Sequence, residues 1–188
     1  MNTLRLVVSR PTASPETVIG PSEASCLEAF SGEVDYLMRS LRRLGVHRDD
    51  LEDVSHEIFL VLYKSWDKYD PSRPFRAYLF GVAFRVACNH LRKRRKEVPY
   101  SCLEVSDSGD RPDQLIEAAQ RRALVLKALA RIPIAKRAVL IMHDIDGLEM
   151  SEIATALSIY RFTGYSRLHK ARKEFSEAVL SLSGEGER

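Results

Sequence analysis

The segment from Phe75 to Lys96 constrains the fold most, because its apolar residues recur with the period of an α-helix. That period produces two adjacent apolar stripes: Leu79, Val82, Ala83 and Val86, followed by Phe80, Ala87 and Leu91. A helix that is buried along two flanks keeps only one open face. The open face collects Tyr78, Arg85, Asn89, Arg92 and Lys96. The sequence therefore predicts a long helix that is embedded in a helical core and exposes one polar line.

The chemistry of this open face suits an unwound nucleic-acid strand. Five consecutive cations run from Arg92 to Lys96, and the aromatic residues Trp66, Tyr69, Phe75, Tyr78, Phe80 and Phe84 precede them. Phosphates need positive charge, whereas exposed bases need flat rings or guanidinium planes to stack on. A solvated basic helix end is the alternative, but it gives no reason for a tyrosine on the open face.

The remaining periodic segments are also helical. They predict an all-α fold with two small helical domains joined by a flexible linker, the second a helix-turn-helix domain of winged-helix-like or four-helix type. The 188 residues, of which 45% are hydrophobic, are enough for two small cores. The first predicted helix covers residues 22–44 and ends at Gly45. The second begins with an Asp49–Glu52 capping box and turns Leu51, Val54, Ile58, Leu62 and Trp66 inward. Four more helices are predicted over residues 115–131, 135–145, 151–157 and 163–182.

Composition places the domain boundaries. Residues 1–21 contain three prolines and lack periodicity, which predicts a disordered tail. Residues 22–96 form the predicted N-terminal domain. Residues 97–113 are rich in Ser, Asp, Gly and Pro, and they predict the linker. Residues 114–183 form the predicted C-terminal domain.

Other features exclude several classes of protein. A net charge of +3 is too small to identify a nucleic-acid binder, so local clustering must carry that argument. Cys26, Cys88 and Cys102 fit neither a disulfide framework nor a zinc spacing, and no apolar stretch is long enough to cross a bilayer. These observations favour a soluble protein of the reducing cytoplasm without membrane insertion, metal or cofactor. The sequence has no glycine-rich phosphate loop, and it predicts neither an enzyme nor a catalytic residue.

A second functional surface is predicted on the outer face of the helix that follows Gly45. Asp53, Glu57, Leu60 and Lys64 share that face. The two acids repel each other slightly and Leu60 would lie in water, so local stability does not explain the arrangement. A partner surface does, although an ordinary charged face with one stray leucine remains the alternative.

The last two helices have the spacing of a helix-turn-helix. Ala154 is small where two helices approach closely, and Leu157 and Ile159 flank the turn. The inner face of the final helix carries Leu168, Ala171, Phe175 and Val179; its outer face carries Ser166, His169, Lys170 and Lys173, flanked by Arg167 and Arg172. Such side chains contact base edges and phosphates in a major groove. A generic helical hairpin is the alternative.

Two blocks of the chain resemble the extracytoplasmic-function group of bacterial RNA polymerase sigma factors. They are LEDVSHEIFLVLYKSWDKYDPSRPFRAYLFGVAFRVACNHLRKRRK and IPIAKRAVLIMHDIDGLEMSEIATALSIYRFTGYSRLHKARKEF, and the resemblance extends from about Phe30 to Phe175. It implies a sigma factor that binds core RNA polymerase and directs it to specific promoters. The implied partners are the β′ clamp helices and β flap of the polymerase, promoter DNA and an anti-sigma factor.

The resemblance also assigns roles to residues. It implies that Asp53 and Glu57, with Leu60 and Lys64 on the same face, dock the β′ clamp helices. Melting and reading of the −10 element is implied for Trp66, Tyr69, Arg73, Phe75, Arg76, Tyr78, Arg85, Asn89, Arg92, Lys93 and Lys96. Reading of the −35 element in the major groove is implied for Thr163, Tyr165, Ser166, Arg167, His169, Lys170, Arg172 and Lys173. A conventional helix-turn-helix repressor would need neither the acidic docking face nor the aromatic-basic helix.

The chain departs from the family pattern in the helix-turn-helix. Ser158 stands where the family usually has Gly, and Tyr160 stands where a Pro is common. Gly164 replaces a β-branched core residue, and Tyr165 replaces a basic residue that reads DNA. In the first block, Arg85 stands where many members have Asn. Because Gly164 removes core volume, we expect a neighbouring ring, Phe162 or Tyr160, to fill the gap.

Overall fold

The computed structural model describes residues 23–97 and 113–185, and within these ranges it contains helices and no strand, as predicted. The α-helices are α1 (Glu23–Gly32), α2 (Val34–Leu44), α3 (Leu51–Lys64), α4 (Phe75–Glu97), α5 (Asp113–Ala130), α6 (Ile134–Leu140), α7 (Met150–Ala156) and α8 (Arg161–Glu185). Short 3₁₀ turns lie at Arg48–Asp50 and Trp66–Lys68, and a π-helical segment at Ile141–Ile145 continues α6. The predicted tail and most of the predicted linker lie outside the described residues.

The first predicted helix is two helices. The chain breaks at Glu33, whose φ of −117° and ψ of 11° are not helical, so the expectation of one helix over 22–44 is wrong. The predicted stop at Gly45 is confirmed. Gly45 adopts a left-handed φ of 94°, and the N–H of Val46 donates to the carbonyl of Leu41 at 3.0 Å, which closes the end of α2.

The start of α3 differs from the prediction, whereas its buried face does not. Arg48–Asp50 forms a 3₁₀ turn capped by the His47 side chain, and Asp50 at the start of α3 makes no side-chain capping bond, so the Asp49–Glu52 capping box is wrong. The predicted inward residues Leu51, Val54, Ile58 and Leu62 are buried. The apolar period predicted the buried face of the helix correctly, whereas several polar residues at its start could each have been the N-cap.

Both apolar stripes of α4 are confirmed. Leu79, Phe80, Val82, Ala83, Val86 and Ala87 are buried, and Leu91 is half-buried. His90, on the flank of the helix, bonds Asp50 Oδ2 through Nε2 at 3.1 Å, and Arg94 pairs with the same carboxylate. The basic end of α4 is therefore fastened to the start of α3.

The N-terminal and C-terminal halves of the protein pack against each other. α2 contacts α5 and α6, and α4 contacts α7. Arg137 on α6 is buried at this junction, where its guanidinium donates to the carbonyl of Leu44 at 2.6 Å and to that of Ile132 at 2.8 Å. Burial lowers the pKa of Arg137 to about 10, so the side chain stays charged at neutral pH. A single buried cation thus ties the last turn of α2 to the second half.

None of the helices in the described ranges is both long and apolar enough to pass through a membrane.

Candidate nucleic-acid interface

The outer face of α3 presents the four residues that the sequence grouped together. Asp53, Glu57, Leu60 and Lys64 are all exposed, and Leu60 leaves 55% of its surface in solvent. The opposite side of the helix is buried in the core. Two acids and a large apolar side chain therefore lie on a rigid helix whose packing does not use them.

An aromatic cluster lies between α3 and α4. Trp66 stacks on Tyr69 with ring centroids 5.0 Å apart, Phe75 meets both rings edge-on, and Tyr69 lies 5.2 Å from Tyr78. Trp66 is only 6% exposed, and its indole N–H donates to Ser25 Oγ at 3.3 Å. The expectation that Trp66 contacts DNA is corrected, because the ring belongs to the core and supports Tyr69 from behind.

Two arginines near the start of α4 lie close to acidic side chains: Arg73 just before the helix and Arg76 in its first turn. Arg73 lies 3.4 Å from Asp70. Arg76 donates from Nε to Glu33 Oε2 at 2.8 Å, and its guanidinium carbon lies 5.1 Å from the centre of the Tyr36 ring. Both arginines are exposed, so each offers its remaining N–H groups to solvent.

The structure contains the predicted open face of α4, but several of its side chains have hydrogen-bond partners within the protein. Tyr78 is half-buried, and its hydroxyl lies 3.1 Å from the Ser65 carbonyl. Arg92 donates to Asn89 Oδ1 at 3.1 Å, and both are exposed, as is Lys93. Lys96 lies in the last turn of the helix, and its side chain is outside the described part of the protein.

The end of α7 covers the middle of this face. A Cβ added to Gly81 would lie 2.5 Å from the carbonyl oxygen of Ala156, so glycine is required for this approach. One turn further along α4, Arg85 Nη1 donates to the same oxygen at 3.4 Å. The first helix of the helix-turn-helix therefore lies against the predicted strand-binding line, a contact that periodicity within α4 did not predict.

A second contact between the halves surrounds Asp146. The Tyr36 hydroxyl donates to Asp146 Oδ2 at 2.7 Å, and Arg43 lies 3.6 Å from the other oxygen. Burial raises the pKa of Asp146, although the Tyr36 hydrogen bond opposes that shift, and burial together with Asp146 raises the pKa of Tyr36. Periodicity did not predict this contact, because Tyr36 and Asp146 lie 110 residues apart in the chain.

The outer face of α8 contains most of the predicted −35 readers. Tyr165, His169, Lys170, Arg172 and Lys173 are exposed, whereas Thr163, Ser166 and Arg167 are half-buried. Leu168 and Ala171 are buried on the other side, and Phe175 packs against the same core. The face is therefore available to a ligand without any change in the packing of α8.

Arg172 is held by a carboxylate. Its Nε and Nη2 donate to the two oxygens of Asp144 at 2.8 and 2.6 Å. The Arg172 hydrogen bond is the main reason why the pKa of Asp144 is lowered. A phosphate would have to compete with this two-bond pair, which distinguishes Arg172 from Arg167 among the predicted flanking cations.

The predicted filling of the gap at Gly164 is wrong. Tyr160 and Phe162 are each 85% exposed. Met150 fills the space instead, since a Cβ on Gly164 would lie 2.3 Å from its Sδ atom. Ser158, at the position of the usual glycine, has a φ of 54°, so the turn keeps the left-handed conformation that glycine adopts without strain.

No group of three or more His, Cys, Asp or Glu side chains in the described ranges has the geometry of a metal site. Cys26 is buried and Cys88 half-buried, and burial raises the pKa of both thiols.

Comparisons with known proteins agree with this architecture. The family model for sigma-70 region 2 matches residues 30–97, and that for sigma-70 region 4 matches residues 122–175. The chain is 26% identical over 162 residues to the ECF RNA polymerase sigma factor SigE of Mycolicibacterium smegmatis, an alignment that covers 84% of this chain and 63% of that relative. It is 27% identical over 159 residues to the RNA polymerase sigma factor CnrH of Cupriavidus metallidurans, covering 79% and 83%.

Two solved structures share the fold. CnrH in complex with the cytosolic domain of CnrY matches with a TM-score of 0.60 at 20% identity, over 85% of this chain and 90% of that one. The sigma factor RpoE in complex with the anti-sigma factor NepR from Bartonella quintana matches with a TM-score of 0.58 at 19% identity, over 81% and 97%. The two matched regions and the similar sigma-factor sequences show that the chain belongs to the extracytoplasmic-function group of the sigma-70 family, whose members are non-catalytic transcription initiation factors.

Proposed function

We propose that this chain binds core RNA polymerase and directs it to specific promoters, reading the −10 element as a melted single strand and the −35 element in the major groove. The supporting observation is that α3, α4 and α8 each bury one side in the core and leave a chemically distinct side outward. The α3 side is acidic and apolar, the α4 side aromatic and cationic, and the α8 side polar and cationic. These are the surfaces that a basic protein partner, a single strand and a duplex require.

In this proposal Asp53, Glu57, Leu60 and Lys64 contact the β′ clamp helices. On α4, Arg85, Asn89 and Arg92 contact the backbone and bases of the −10 strand, with Tyr78 and Tyr69 available for stacking. The −35 duplex is read by the outer face of α8. An anti-sigma factor is a further proposed partner, because one structural relative was solved in complex with the cytosolic domain of CnrY and the other in complex with the anti-sigma factor NepR.

We infer that the compact arrangement does not serve both DNA surfaces at once. The nominal positions −10 and −35 differ by about 25 base pairs, which is roughly 85 Å of duplex at 3.4 Å per pair. In the structure Arg85 on α4 touches Ala156 at the end of α7, immediately before the turn that leads into α8. On this proposal, promoter binding separates the halves at the contact of α4 with α7 and at the contacts of α2 with α5 and α6.

The docking surface is tested by charge reversal. Asp53→Lys with Glu57→Lys places cations against a basic partner and should weaken binding to labelled core polymerase by about a hundredfold or more. The matched control is Glu52→Lys with His56→Lys, which has the same spacing on the same helix and uses two other exposed residues. Equal affinities for the two normally folded variants would remove α3 from the docking surface.

Strand opening is tested separately on α4. Arg85→Ala with Arg92→Ala should keep polymerase binding but reduce permanganate reactivity of −10 thymines, because two strand-contacting cations are lost. Arg42→Ala with Arg48→Ala removes two exposed cations elsewhere and serves as the control. Normal melting by the α4 variant would show that this helix face does not hold the single strand.

A further inference from the structure

Three aromatic side chains project into solvent at the start of α8. Tyr160 and Phe162 are each 85% exposed, and Tyr165 is 57% exposed. Large exposed apolar groups that lie together mark interaction surfaces more often than structural ones. Phe162 or Tyr160 was expected to fill the gap beside Gly164, but both rings point outward.

Phe162 lies on the face that was predicted to read DNA. Ser166, His169 and Lys173 follow it at the spacing of one helical face, and Tyr165 lies beside it three residues on. The opposite face holds Gly164, Leu168 and Ala171, all buried. Phe162 is therefore the first side chain of the outward line, at the end of the recognition helix that enters a groove in helix-turn-helix proteins.

The close packing of Gly164 keeps the ring there. Met150 Sδ occupies the position that a Cβ of Gly164 would take, so the first turn of α8 lies directly against α7. Main-chain bonding supports this turn, because the Gly164 N–H donates to the Tyr160 carbonyl at 3.0 Å. Phe162 has no vacant core position to enter, since Met150 already fills the gap that Gly164 leaves.

Charge around the ring identifies the kind of partner. Residues 161–173 contain five Lys or Arg and no Asp or Glu, so the complementary surface is strongly anionic. A duplex is the anion that a helix-turn-helix fits, and the apolar group that a major groove offers is the C5-methyl of thymine. The cations of α8 suit the phosphates of a duplex, and the aromatic ring among them suits the thymine methyl.

We propose that Phe162, with Tyr165 beside it, contacts thymine methyl groups in the −35 duplex and makes this chain select thymine at those positions. The inference rests on the proposed role of α8 in −35 reading. It adds Phe162 to the reading residues and assigns it a chemical target that hydrogen-bonding readers such as Ser166 and Lys170 do not share.

The test replaces thymine by uracil, which removes only the methyl group. Holoenzyme assembled from core polymerase and the full chain is bound to a −35 duplex selected from a randomised library, and each thymine is substituted in turn. We expect one or two positions to lose affinity about fourfold each, the effect of one buried methyl group. Holoenzyme with Phe162→Ala should bind the original duplex more weakly and no longer distinguish uracil from thymine at the position that Phe162 contacts.

Leu180→Ala is the matched control, because Leu180 is a 74% exposed apolar residue on the same line of α8 five turns away. It should retain full sensitivity to uracil. The proposal is overturned if wild-type holoenzyme binds every uracil-substituted duplex as tightly as the original, or if Phe162→Ala keeps the wild-type discrimination. It is also overturned if Phe162→Ala leaves duplex binding unchanged and weakens only the binding of a protein inhibitor. Absence of any −35 protection by wild-type holoenzyme would instead refute the proposed function, so the two failures are distinguishable.

Discussion

The outer faces of α4 and α8 carry similar side chains but present them differently. On α4, the tyrosine and two arginines bond to Ser65, Ala156 and Asn89. On α8, Phe162 and Tyr165 project into solvent. The α8 surface is therefore open to solvent, whereas the α4 surface is partly covered by the other half of the same chain.

The largest expected effect comes from the buried cation that joins the halves. Arg137→Ala leaves the carbonyls of Leu44 and Ile132 without their charged donor and should lower the free energy of unfolding by about 3 kcal/mol. Chemical denaturation measures this, with the exposed Arg122→Ala as a control that should change stability by less than about 0.5 kcal/mol. A small loss at Arg137 would mean that this buried cation contributes little to the junction between α2 and the second half.

The next effect concerns the contact that covers α4. A methyl group at Gly81 would meet backbone atoms of Ala156, so Gly81→Ala should destabilise the protein by roughly 1 to 3 kcal/mol while binding of a single-stranded −10 oligonucleotide tightens. Gly32→Ala is the control, because nothing lies within 4 Å of the added atom. If both variants bind the oligonucleotide alike, α7 does not limit access to α4.

The smallest effect lies in the turn before α8. Ser158 has a φ of 54°, so Ser158→Gly should raise the free energy of unfolding by roughly 0.5 to 1 kcal/mol as the left-handed strain is removed. Ser158→Ala keeps that strain and should give no gain. Thermal unfolding compares them, and equal stability of the Gly and Ala variants would show that the turn stores no strain.

The sequence predicted what local periodicity encodes. The stripes of α4, the exposed line of α3 and the inner face of α8 follow from spacing alone, because each helix buries its own apolar side. Helix ends were less well predicted: Glu33 interrupts a continuous apolar pattern, and several polar residues before α3 compete for the cap.

Contacts between distant segments could not be predicted in this way. Arg137 appears from spacing as one more cation, and only the fold brings it to the end of α2, 93 residues away. The prediction that Phe162 or Tyr160 fills the space beside Gly164 was wrong for the same reason, since Met150 of α7 fills it. Trp66 also fits both a core and a stacking role until its neighbours are known.

We propose that the two halves, packed together in the free protein, separate to bind a promoter. Pulsed electron-paramagnetic resonance between spin labels at the exposed Asp35 on α2 and Glu177 on α8 measures this directly. We expect one narrow distribution of the distance between the two labels in the free protein. In promoter-bound holoenzyme, we expect that distance to be longer by tens of ångströms. An unchanged distance in a holoenzyme that initiates transcription would contradict it.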